Sequence, residues 1–227
     1  MSALGDDDDR LGDDSVDDEK LSTGIEILDN PEYLDGGFPK GSVITLVANP
    51  IATAELFLYD LAEVRHTHYF TTARSADSVG KTIEMMGRSA DGFDIVDLYS
   101  ADDLFDTAMG ALEDVDNEEN IIFDTFSDIV RHDRGDEILD LTYRVSHETG
   151  SATYLYMIKE DEETMTYEES RVPYSSDVVM KMLTGIEGEK VENRLAISKL
   201  RGHTPPPKTI KLNIGKEIVV DTSRDIA

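Results

Sequence analysis

Cysteine is absent from this chain, and with it go disulfides, thiolate catalysis and any cysteine-ligated metal. No apolar run approaches the roughly 20 residues that a membrane-spanning helix needs, and Met1 to Leu11 lacks a signal-peptide pattern. Those absences lead us to expect a soluble, cytoplasmic protein. Basic residues are scarce as well: 21 Lys and Arg stand against 49 Asp and Glu, a net charge of −28. Nucleic-acid affinity needs clustered Lys and Arg against the phosphates, so a strong nucleic-acid footprint is not expected. No internal repeat with a period of 20–50 residues is present.

What is present begins with acid, and it is spread along the whole chain. The first twenty residues hold nine acids and two bases, or −7, which leaves −21 of the −28 for the remainder. Acid distributed in this way suits a cytoplasm of molar salt, where screening removes the self-repulsion of a uniformly charged surface. A halophilic source is therefore expected. Residues 1–20, with GDDDDR and GDDSVDDEK, have almost nothing to bury and should form a disordered solubilising tail. A length of 227 residues fits one α/β domain, at 21–227, behind that tail.

The centre of the domain is SVITLVANPIATAELFLYDLA at 42–62. Ser42 to Ala48 predicts a short buried strand, and Glu55 to Val64 an amphipathic helix, with a turn between them. Ahead of it, Ser22 or Thr23 can cap a short helical turn, and Gly36, Gly37, Pro39 and Gly41 force a loop. After it, further strands are predicted at Thr67 to Thr72, Phe93 to Tyr99, Asn120 to Asp124 and Ala152 to Ile158. Helices are predicted at Ser75 to Gly87, from a Ser100 cap to Val115, and at Gly135 to Glu148, where Ile138, Leu139, Leu141, Thr142 and Val145 share the inner side. Strands alternating with helices imply a mainly parallel sheet covered on both faces. Asp177 to Leu183, Arg194 to Leu200, Lys208 to Ile214 and Glu217 to Asp221 are shorter and joined by turns such as IGKE. They suggest a short antiparallel extension of one sheet edge.

Three pieces in this order, LSTGIEILD with LDGGFPKGSVITLV, IIFDT, and SSDVVMKML followed by NRLAISKLRG, resemble the KaiC branch of the RecA-like P-loop ATPases. The first resembles the family's opening turn and GG-x-P-x-G loop, the second its Walker B strand, and the third its late strands with the K-x-R-G signature at Lys199, Arg201 and Gly202. The resemblance spans about residues 21–221 and implies an α/β fold with a RecA/KaiC-like core. It would make the turn after the first strand a phosphate loop, G-x-x-x-x-G-K-[ST], whose glycines let backbone N–H groups wrap phosphates while Lys and a hydroxyl serve charge and Mg²⁺.

Laid on this chain, the eight places are Ala48, Asn49, Pro50, Ile51, Ala52, Thr53, Ala54 and Glu55. Only the proline common in that family remains. A β-branched residue held at positive φ would cost on the order of 1–2 kcal/mol. Glu55 at the hydroxyl place would set a carboxylate beside phosphate, at roughly 4 kcal/mol per like-charge pair near 4 Å with an effective dielectric of about 20. It also begins a helix, so its own charge serves the N-terminal dipole that phosphate would use. The family's strand after the first helix ends in glutamates that orient the attacking water, and here Ala73 and Arg74 stand in that place. Transition-state charge then lacks a stabiliser. No cofactor and no catalytic residue are expected.

Asp124 stands where the Mg²⁺-linked acid would sit, and reads as a strand-end carboxylate that pairs with a local base or caps a backbone N–H. Lys199 and Arg201 would, by the resemblance, face a neighbouring subunit's nucleotide. Without nucleotide they are expected to pair with Glu55 or Asp124, or with a partner's acids. His66 and His68 share one strand face and as a pair could hold a metal, but no third ligand is evident, and an ordinary strand edge is expected. His132 and Asp133 lie in a polar loop with no nucleophile in view. Phe105 to Ala108 (FDTA) mimics a recombinase interface tag, yet sits mid-helix and reads as core. HTPPPK at 203–208 should form a rigid exposed loop.

The functional expectation is a non-catalytic pseudo-ATPase that acts by contact with protein partners in signalling or gene regulation, with an active KaiC-like relative as one candidate. A nucleotide-binding switch or weak ATPase is the alternative, and a DNA-associated recombinase-like accessory protein the third reading. Because nucleotide often closes the family's rings, its absence argues against a ring, and the sequence leaves the oligomeric state open.

Overall fold

Among the described residues, six parallel and three antiparallel strands make one nine-stranded sheet, in the order β11-β10-β9-β8-β3-β7-β6-β4-β5. The computed structural model describes residues 19–159, 164–187, 190–214 and 218–220. The strands are β3 (Val43–Ala48), β4 (Thr67–Thr71), β5 (Phe93–Asp97), β6 (Asn120–Asp124), β7 (Ala152–Ile158), β8 (Val178–Glu187), β9 (Lys190–Leu200), β10 (Ile210–Ile214) and β11 (Ile218–Val220). A two-stranded ribbon of β1 (Lys20–Leu21) and β2 (Phe38–Pro39) precedes them. The helices are α1 (Ala54–Ala62), α2 (Ala76–Met85), α3 (Leu104–Glu113), α4 (Ser127–Val130), α5 (Gly135–Thr149) and α6 (Tyr167–Ser175).

The core lies on both faces of the sheet because the central strands are apolar on both sides. Along β3, Ile44, Leu46 and Ala48 face α1 and α2, with Phe57, Leu58, Leu61, Val79 and Ile83 opposite them. Val43 and Val47 point the other way, towards α3, α5 and α6. The same alternation puts Tyr154 and Tyr156 of β7 on the first face and Leu155 and Met157 on the second. The inner residues expected for α5 are all buried, and Gly150 ends that helix at φ +69°. Phe105 and Ala108 are core residues of α3, as expected for FDTA.

Several expectations need correction. The cap of α3 is Asp103 rather than Ser100: its carboxylate accepts from the N–H groups of Phe105 and Asp106. Strand β8 is not part of an antiparallel extension but runs parallel to β3, Ile44 opposite Val178 through Ala48 opposite Met182. Antiparallel pairing begins with β9. Helix α6 was not anticipated, although Thr166 and Glu169 form a full capping box in front of it. The ordered chain reaches back before residue 21: Lys20 lies in β1, and Glu19 pairs with Lys40. The tail expected at 1–20 otherwise falls outside the described residues, as do Gly215 to Glu217 of the IGKE turn and Asp221. Among the described residues no helix is long and apolar enough to cross a membrane.

Candidate functional site

In open α/β sheets, ligands gather at the carboxyl ends of the parallel strands. Here that edge is made by the turn after β3, by Thr72 to Ser75 after β4, by Asp124 and Thr125 closing β6, and by Lys159 after β7. The turn at 49–53 is compact. Asn49 Oδ1 accepts from the Ile51 N–H at 3.0 Å, and the Asn49 carbonyl accepts from the Ala52 N–H at 2.8 Å. Among the described residues only Asp35 and Glu118 are non-glycines with positive φ. The cost expected for a β-branched residue at positive φ therefore does not arise in this turn, because the backbone takes a different conformation. Ala52 and Ala54 are buried and Ile51 is 76% exposed. Glu55 occupies the first turn of α1, where its charge favours the helix dipole.

The polar centre is Asp124. Its Oδ2 accepts from the Tyr69 hydroxyl at 2.7 Å and from Arg74 Nη2 at 2.9 Å, and the same Nη2 reaches the Tyr59 hydroxyl at 3.0 Å. One guanidinium thus ties α1, β4 and β6 together. The Asp124 side chain is only 6% exposed and that of Arg74 30%. Burial opposes the Arg74 charge, but Tyr59 and Asp124 outweigh it and hold its pKa above the ordinary value. Burial, reinforced by the Asp124 charge, pushes the Tyr69 hydroxyl well up. Tyr156 is raised in the same way, first by burial and then by Asp124 and Glu55. Phenols fill the crevice in protonated form, and the acid beside them is already paired. Beside this centre the Thr72 hydroxyl accepts from the Thr125 N–H at 3.0 Å, while Thr125 Oγ1 is buried without a partner. Lys159 and Arg131 both pair with the fully buried Glu169. Burial raises the Glu169 carboxyl, but the two cations and the Thr166 N–H overcome that and hold it below its ordinary value.

The local partner expected for Asp124 is thus Arg74. Lys199 and Arg201 are elsewhere, which corrects their placement beside Glu55 or Asp124. Val178 is opposite both Ile44 and Leu200, so they lie at the starting end of β3, on the order of 15 Å from its carboxyl end. Lys199 Nζ donates to the Pro173 and Tyr174 carbonyls at 3.1 and 2.6 Å, closing the C-terminus of α6. Arg201 Nε meets Asp177 Oδ1 at 2.8 Å. Burial and then the Arg201 charge pull the Lys199 pKa down. Both line an open groove of about 940 Å³ with Arg171, His147 and Tyr143.

Of the weaker candidates, His132 packs its ring on Phe105 with centroids 4.3 Å apart. Pro206 to Lys208 lies beside Glu32 and Tyr33. His66 and His68 do share a face, and strand pairing brings Asp94 to them, a neighbour that no spacing in the sequence announces.

Residues 20–227 match a family described as "Family of unknown function (DUF7125)". A search of curated proteins finds no match. The fold is similar to the crystal structure of a KaiC-like protein from the hyperthermophilic archaeon Pyrococcus horikoshii OT3, with a TM-score of 0.72 at 17% identity. The similarity covers 89% of this chain and 99% of that one. At that identity the likeness shows the fold, a KaiC-like α/β core.

Proposed function

The chain belongs to the family of unknown function DUF7125, and from its KaiC-like fold and the contacts around Asp124 we propose a non-catalytic protein that works by binding other proteins. The observation that carries this reading is the Arg74–Asp124 pair. The acid at the end of β6 is held by a cation from the neighbouring strand end, where a hydrolase of this fold would need a water-orienting carboxylate. Tyr59 and Tyr69 fill the space around the pair. Glu55 adds a negative charge at the helix end that would otherwise attract phosphate. Binding ATP here would require breaking a buried ion pair and seating phosphate against a carboxylate.

A surface for partners is supported by the β8–β9 hairpin. Strand β3 pairs with β8 only as far as Met182, and β10 flanks β9 only as far as Asn193, opposite Thr184, so the hairpin runs on past both neighbours from Gly185. On that arm Ile186 and Val191 are a cross-strand pair, 78% and 66% exposed. An exposed apolar pair on a projecting arm is what a protein contact would cover. The partner we favour is a KaiC-like relative with an active site of its own, in a regulatory assembly within a high-salt cytoplasm. Calorimetric titration with ATP and Mg²⁺ in molar KCl tests the reading. No saturable heat is expected up to about 1 mM nucleotide, and a Kd near 1 μM, about −8 kcal/mol, would overturn it.

A further inference from the structure

We propose that His66, His68 and Asp94 form a binding site for one divalent transition-metal ion, with zinc the ion that suits the donors best. On β4, His66 and His68 are two residues apart and so project from the same face. Strand β5 runs parallel to β4 with Asp94 directly opposite His68. One donor atom from each of the three lies within 4.8 Å of the other two. The imidazoles stand edge to face, 5.4 Å apart at 89°, and His66 Nε2 is 3.0 Å from Asp94 Oδ2.

The three ligands are not equally free. The side chain of His68 is only 5% exposed, and its Nε2 meets Glu119 Oε2 at 2.9 Å. That carboxylate is itself fixed by the Asp116 N–H at 2.9 Å. A carboxylate bonded to one imidazole nitrogen sets the ring's orientation and tautomer and makes the other nitrogen a better donor. Glu119 is thus a positioning residue for His68. His66 and Asp94, at 39% and 61% exposure, stand at the rim and leave a path from solvent. Tetrahedral zinc with bonds of about 2.0–2.1 Å needs its donors roughly 3.4 Å apart. The two outer side chains can close that difference by turning about their side-chain bonds, and water completes the fourth position.

Two imidazoles and one carboxylate select zinc and its transition-metal neighbours over magnesium and calcium, which seek oxygen. The cluster lies at the starting ends of β4 and β5, away from Asp124, which is opposite the last residue of β4. A metal there would clamp the edge strand β5 to its neighbour.

The test is competition of the metal-stripped full chain with a chromophoric chelator for Zn²⁺, with Co²⁺ absorption as a report on coordination. One equivalent should bind. His66→Ala and Asp94→Asn, both at exposed side chains, should each weaken binding at least about tenfold, and Glu119→Gln should weaken it about 10–100-fold at unchanged stoichiometry. Zn²⁺ should raise the melting temperature of the native chain and not of the His66→Ala variant. Failure to find a saturable single equivalent would overturn the proposal. So would an affinity in the His66→Ala variant within about threefold of the native one, which would place the ion on surface carboxylates instead.

Discussion

Replacing Arg74 by Met is the most informative perturbation of the Asp124 centre, because it removes the charge but keeps the aliphatic stem. The Asp124 carboxylate, 6% exposed, would keep the Tyr69 hydroxyl as its side-chain partner among the described residues. Breaking a buried pair from one side costs about 3–5 kcal/mol, and the open side of this crevice puts the expected loss near the lower figure. Asp124→Asn is milder. The amide keeps the Tyr69 contact, and Arg74, 30% exposed, can turn to water, so about 1 kcal/mol is expected. With both changes no charge is left buried, and the double variant should lose about 2 kcal/mol rather than the sum of roughly 4. The coupling of about 2 kcal/mol is the quantity to measure, by urea unfolding of the four proteins at one fixed KCl concentration. Midpoints should shift without a change in slope. Additivity within about 0.5 kcal/mol would refute the reasoning, because it would mean that Asp124 does not depend on Arg74.

Three further outcomes are expected. Ala54→Lys with Glu55→Thr should not create ATP binding in the same calorimetric assay, because Asn49 holds the turn in its compact form; recovered binding would show that charge alone was the obstacle. Gly37→Ala should lower the urea midpoint by an amount equivalent to roughly 2–4 kcal/mol, since Gly37 has φ +124° and a Cβ there would meet the Leu21 carbonyl oxygen at 2.0 Å. Glu169→Gln should destabilise the protein at neutral pH. The folded Glu169 carboxyl titrates below its ordinary value of 4.5, so its contribution is complete above that value and is lost as pH falls through the folded one. The gap between variant and native midpoints should therefore close below about pH 4.5, and a constant gap would contradict the Lys159 and Arg131 pairing.

Much of the fold was legible because its signals are local. The apolar run of β3, the alternation of strands and helices, and the glycine after α5 each reflect a backbone or burial preference carried by adjacent residues. The resemblance to KaiC-like proteins drew on the same segments, and the fold agrees with it. Helix α6 escaped because Pro173 and a mostly polar face masked a capping box written at Thr166 and Glu169. The direction of β8 escaped for another reason. A strand's residues do not say which neighbour it will pair with, and the α6 connection let it return parallel to β3.

The candidate site divides in the same way. From the sequence alone came the unusual residues at 48–55, the lone acid at 124, and the arginine at 74, since identity and order are properties of the chain. Tertiary structure alone decided that Arg74 reaches Asp124, that Lys199 and Arg201 close α6 at the other end of the sheet, and that Asp94 and Glu119 stand beside the two histidines. Those contacts join residues from 25 to 51 positions apart, most of them on strands whose register is fixed by the packing of both sheet faces at once. No local preference encodes such a distance; the shared core does.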